Sequence, residues 1–180
     1  MTKCIHIFLT LTLVFVFSLS SCGKKENSST WTNYSNSFFS FQYPSDWSLE
    51  EGENNISVIG PQVQEYFINL KVDFNPSVSL TLEDFISTVE TQNQVEQLPD
   101  FVDGGIVSIT TDAIGGQQHS FQTSVTSGDK QKTLFVTLSY FVIEPSIGIV
   151  ITSECPVESF TTYKKTLEAI QNSFTFEVKS

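Results

Sequence analysis

Apolar and polar residues change their rhythm several times along the 180 residues of this chain. Residues 5–19 form one uncharged, mostly apolar run. From residue 37 the rhythm has period two. Phe39, Phe41 and Tyr43 share a face, which predicts a strand over residues 37–43 that ends at the turn Pro44-Ser45-Asp46. Residues 56–59 make a second short strand. Residues 66–74 make a third, with Ile68, Leu70, Val72 and Phe74 in line and Pro76 as its stop. The period then turns helical. Leu82, Phe85, Ile86 and Val89 lie on one stripe, predicting a helix over residues 82–94 that Thr81 and Asp84 open as a capping pair. Strand-rich segments follow at 106–109, 120–125, 133–141 and 148–152, divided by Gly115-Gly116, Gly128-Asp129 and Pro145-Ser146. A second stripe of Val157, Phe160, Tyr163, Leu167 and Ile170 predicts a helix over 157–172, with Pro156 in its first turn. Phe174, Phe176 and Val178 alternate as a closing strand.

Segments spaced this closely cannot be joined by parallel crossovers, so the sheet is an antiparallel meander. Residues 133–141 are apolar on both faces, which places that strand centrally with both faces covered. Two helical stripes supply the two covers. The expected fold class is therefore α/β in the mixed α+β sense: a three-layer α/β/α sandwich around a central antiparallel sheet.

The apolar run near the start follows Lys3. As a helix it rises about 22 Å, short of the roughly 30 Å hydrocarbon core, so it reads as a secretory leader rather than a permanent span. Leu19-Ser20-Ser21-Cys22 then resembles the lipobox of bacterial lipoproteins. That resemblance implies a diacylglyceryl group on the Cys22 thiol, with palmitate-type acyl chains, and cleavage that makes Cys22 the new N-terminus. It implies an extracytoplasmic protein, lipid-anchored to the bacterial cell membrane or outer membrane. An ordinary signal peptide with a coincidental cysteine is the alternative. The organisation expected is a signal peptide at 1–21, a lipidated cysteine and flexible tether at 22–36, and a globular domain at 37–180. Trp31 and Tyr34 in the tether are either interfacial or the start of the first strand.

Composition narrows the function classes. Nine lysines, no arginine and 20 acids give a net charge of −11, the wrong balance for holding phosphate backbones, so no nucleic acid is expected as a partner. Aromatics at 13% argue for a packed core rather than a disordered chain. With Cys22 acylated, Cys155 has no partner for a disulfide and reads as a buried free thiol. The adjacent Glu154 would raise its pKa, which disfavours a nucleophile.

Candidate chemistry is sparse. His119 is the only histidine past the leader and reads as a partly exposed strand residue; there is no Gly-x-Ser-x-Gly elbow. No catalytic residue is assigned, and no enzyme activity or cofactor is expected. The one metal candidate is Asp100, Asp103 and Asp112 with His119, should their loop and strand pack together; a solvated acidic loop is the alternative. Gly104-Gly105 and Gly115-Gly116 fit no phosphate loop and read as turns. Glu50, Glu51 and Glu53 read as a solvated loop.

The phrases Phe39-Ser-Phe-Gln-Tyr-Pro-Ser-Asp-Trp47, Thr81-Leu-Glu-Asp-Phe85 and Ile170-Gln-Asn-Ser-Phe-Thr-Phe176 together resemble the PsbP-like fold, shared with DcrB-type bacterial lipoproteins and Mog-type Ran-binding proteins. The resemblance spans residues 37–179. It implies a fold and a binding or accessory role, with a protein partner in the cell envelope, but no catalytic residue. A photosystem II accessory lipoprotein and an extracytoplasmic hydrolase are the competing functional expectations.

Overall fold

The computed structural model describes residues 30–76, 78–127, 129–143 and 147–177. Cys22, the expected cleavage site and the leader lie outside the described residues, as do Gly128, Pro145-Ser146 and Val178. The elements run β1 (Trp31–Ser35), β2 (Phe39–Pro44), β3 (Ser48–Glu51), β4 (Asn55–Val63), β5 (Tyr66–Asn75), α1 (Leu82–Asn93), a 3₁₀ turn (Val95–Gln97), β6 (Val102–Thr111), β7 (Ile114–Ser127), β8 (Lys130–Ile143), β9 (Ile147–Pro156), α2 (Val157–Asn172) and β10 (Thr175–Phe176). β3 to β9 form a seven-stranded sheet in the order β3-β4-β5-β9-β8-β7-β6, with every pairing antiparallel.

The expected three layers are present, and β8 shows why. Its even positions, Leu134, Val136, Leu138 and Tyr140, join one buried cluster with Phe85 and Ile86 of α1. Its odd positions Phe141 and Ile143 join a second cluster with Leu167 and Ile170 of α2. Period-two alternation within one strand thus feeds both cores.

The second layer holds more than a helix. β1, β2 and β10 form a separate three-stranded sheet beside α2. Phe41 stacks on Phe174 at 4.6 Å between ring centroids, 12° apart, at the end of α2. The Ser173 hydroxyl accepts from the Gln42 amide at 2.8 Å. Residues 31–35, expected within the flexible tether, are therefore strand β1, paired along its length with residues 40–44 of β2. The polar sequence hid it because β1 is an edge strand whose pattern alternates between exposed and half-buried; Tyr34, packed against Phe41 at 5.2 Å, is its anchor.

Other expectations shift in detail. Glu50 and Glu51 lie in edge strand β3, not in a loop. The β6–β7 turn is Asp112-Ala113, with φ of 49° and 64°, and not Gly115-Gly116. Two positive-φ residues are what a two-residue hairpin turn of the primed type needs, and Asp tolerates that region. Gly116 sits inside β7 instead, because a Cβ there would come within 2.6 Å of the Phe141 ring. Gly104-Gly105 is likewise no turn but a bulge within β6, between the Asp103 and Ile106 pairings. Gly105 has φ +90°, open to glycine at little cost.

α1 opens as the capping pair predicts. The Thr81 hydroxyl accepts from the Asp84 amide at 3.2 Å and donates to the Asp84 carboxylate at 2.8 Å. It ends at Gln94, whose φ of 50° stops the helix.

Candidate functional site

α1 lies over β8 and, through Phe85, over Gly148 of β9, and leaves the Thr152–Glu154 end of β9 and the adjoining part of β5 open on that face. The reason is in the sequence: Lys71 and Asp73 of β5 and Thr152 and Glu154 of β9 point to this side, and polar groups would be costly beneath an apolar helix stripe. The result is a cleft of about 1180 Å³. Its floor is Leu134, Val136, Leu138 and Val150. Phe85 and Val89 of α1 form one wall, and Val95 and Leu98 close one end.

The far rim is polar and already partly paired. The Tyr66 hydroxyl donates to Glu154 Oε2 at 2.7 Å. Burial, and then the Glu154 charge, push the Tyr66 pKa far up, so Tyr66 stays a donor. Lys71 is tied to Asp73 at 2.7 Å. Among the described residues neither a histidine nor a cysteine lines the cleft. The surface there can bury apolar ligand atoms and satisfy polar ones at the rim.

His119 is not partly exposed, as expected, but 5% exposed, and it lies between two carboxylates. Glu90 Oε1 is 2.7 Å from its Nδ1, and Asp103 Oδ1 is 3.1 Å from its Nε2. Phe101 and Phe121 pack against the imidazole at 6.2 and 5.3 Å between centroids. Tyr140 donates to the same Glu90 oxygen at 3.0 Å. The Gly105 amide donates to Asp103 at 2.7 Å; that bond first, and His119 second, hold the Asp103 carboxyl below its usual range. Both ring nitrogens are thus engaged within the fold, and the ring bridges α1, β6 and β7.

The remaining acids of the metal candidate are elsewhere. Asp100 accepts from the Gln131 side-chain amide at 2.6 Å, and Asp112 accepts from the Phe176 amide at 2.9 Å. Only Asp103 reaches His119, and no group of three or more His, Cys, Asp or Glu side chains is placed to hold a metal among the described residues. Cys155 is 1% exposed on the opposite side of the sheet. Burial, and then Glu158, push its thiol up to about 11. Its Sγ donates to the Pro156 carbonyl at 3.4 Å.

Sequence reasoning missed Glu90 as the shared partner of His119 and Tyr140. A clue existed: Glu90 follows Ile86 by one helical turn, so an acid occupies the apolar stripe of α1. An acid there requires a buried partner.

No helix among the described residues is long and apolar enough to cross a membrane. No protein-family model matches the chain. No curated protein sequence matches it either. Solved structures do resemble it. Cyanobacterial PsbP (CyanoP) from Synechocystis sp. PCC 6803 matches with a TM-score of 0.57 at 16% identity, covering 88% of this chain and 99% of that one. LpqN, involved in cell envelope biogenesis of Mycobacterium tuberculosis, matches with a TM-score of 0.57 at 12% identity, over 82% and 90% of the two chains. The Saccharomyces cerevisiae Ran-binding protein Mog1p matches with a TM-score of 0.54 at 10% identity, over 81% and 96%. Identities this low carry the fold alone. With its antiparallel seven-stranded sheet between α1 and α2, the domain has the PsbP-like fold.

Proposed function

We propose that the protein is a lipid-anchored, extracytoplasmic binding or accessory lipoprotein of the bacterial cell envelope, and that the cleft between α1 and the sheet is where it recognises its partner. The observation that carries the binding role is the cleft itself: a large concave surface with an apolar floor and a hydrogen-bonding rim. His119, buried between Glu90 and Asp103, is not among the residues that line the cleft, which supports a binding reading of the cleft over the hydrolase alternative. The fold it shares with an envelope-biogenesis protein and a Ran-binding protein supports a role in association. Anchoring rests on the sequence around Cys22.

Because β1 begins at Trp31, the chain from Cys22 to the sheet spans at most about 30 Å, which keeps the domain close to the bilayer. Membrane fractionation, mass spectrometry of the mature N-terminus and crosslinked pull-down test the proposal on wild type and Cys22→Ala. Acylated wild-type protein in the membrane fraction, with partners lost in the variant, is the expected result. A wild-type chain that is already soluble and unacylated overturns the anchoring; a wild-type chain that captures no partner overturns the accessory role.

A further inference from the structure

The seven-stranded sheet has two edges, and they are built differently. β3, at one edge, is 4 residues long and carries Glu50 and Glu51. Short length and charge are the usual guards of a free edge. β6, at the other edge, is 10 residues long. Its stretch Ile106-Val-Ser-Ile-Thr-Thr111 has no charge and no proline, and five of its side chains are β-branched. Ile106 and Val107 are 52% and 55% exposed, and they point to opposite faces of the sheet. An edge stretch that is uncharged and exposes apolar residues on both faces, as residues 106–111 do, is a template for another strand.

We propose that β6 pairs antiparallel with β6 of a second copy, joining two seven-stranded sheets into one across a two-fold axis at Ser108. The stretch is self-complementary in that register. Val107 falls opposite Ile109 twice, on the face where Ile109 already packs against the α2-side cluster. Ile106 falls opposite Thr110, and the small Ser108 meets its own copy on the axis. Two chains of net charge −11 repel overall, and residues 106–111, which form the seam in this register, add no charge of their own to that repulsion. The flanking acids are bonded within their own subunit, Asp103 to His119 and Asp112 to the Phe176 amide, and the Asp103 side chain, 65% exposed, lies beyond the bulge and outside the paired stretch. The Gly104-Gly105 bulge bends the strand and limits the pairing to this stretch.

Sedimentation of the full chain in mild detergent tests the proposal. Wild type is expected to sediment as a dimer. Val107→Lys, at a position exposed in the single copy, is expected to keep its circular dichroism and to weaken the dimer about tenfold or more. Ser108→Cys is expected to form a disulfide-linked dimer on mild oxidation, while wild type treated alike does not. The axis brings the two Cβ atoms to about 4.5–5.5 Å, within a small backbone adjustment of disulfide range. A wild-type chain that stays monomeric up to about 100 μM overturns the proposal and leaves the edge to a strand from a different protein. A dimer that Val107→Lys leaves intact, with no Ser108→Cys link, overturns it equally.

Discussion

Glu90 on α1 holds His119 on β7 at 2.7 Å, and the same carboxylate oxygen accepts from Tyr140 at 3.0 Å. One acid thus satisfies two buried polar groups on neighbouring strands. Glu90→Ala strands both. Leaving a buried polar group without its partner costs about 1–3 kcal/mol, so the variant should unfold at clearly lower urea than wild type. Glu90→Gln keeps one acceptor and should lose less. Equal stability of Glu90→Ala and wild type would show that the network contributes nothing.

Gly60 of β4 lies against the indole of Trp47: a Cβ there would come within 2.8 Å of ring atoms. Trp47 is buried, so the ring cannot swing away freely. Gly60→Ala should cost about 1–3 kcal/mol through overpacking and shift the tryptophan emission. Unchanged stability and emission would mean that the strand adjusts at no cost.

The Phe41–Phe174 stack ties the small sheet to the end of α2. Phe174 is buried against Phe39 as well, at 5.8 Å between centroids. Phe174→Ala should destabilise the domain by about 3–5 kcal/mol, read by thermal or urea unfolding. A loss below about 1 kcal/mol would show that the small sheet is not held by this ring.

Cys155 and Asp103 contribute at opposite ends of the pH profile. The folded-state pKa of Cys155 is raised from 9.0 to about 11, so its contribution to stability is full below pH 9.0 and is lost as pH rises toward about 11. The folded-state pKa of Asp103 is lowered from 3.8, so its contribution is present above that value and is lost as pH falls through the lower folded one. Urea midpoints across pH should therefore decline at both ends, and Cys155→Ala should flatten the alkaline side. At neutral pH Cys155 should resist thiol reagents until the protein unfolds; rapid labelling of native protein would contradict its burial.

Much of the fold was legible because the cores are made by regular repeats. The stripe from Leu82 to Val89 and that from Val157 to Ile170 gave both helices, and the two-faced run at 133–141 gave the central strand and hence the layers. What stayed hidden lacks such repeats. β1 and β3 are edge strands with little buried surface, so tertiary pairing and not pattern makes them strands. The hairpin turns at Gln64-Glu65 and Asp112-Ala113 reach positive φ without glycine. The nearby glycines are used elsewhere, Gly116 for the close approach of Phe141. The cleft was not legible at all. It arises where α1 stops short of the Thr152–Glu154 end of β9 and of β5, a matter of three-dimensional coverage that no local spacing encodes.

β8 is a wall common to two rooms. Tyr140 and Phe141 are neighbours in sequence, yet each is fully buried in a different cluster. Neither side can dissolve while the other stands, because both lean on the same backbone. Denaturation followed by the fluorescence of Trp47, on one side, should coincide with loss of the Glu90–Tyr140–His119 environment on the other, in a single all-or-none transition.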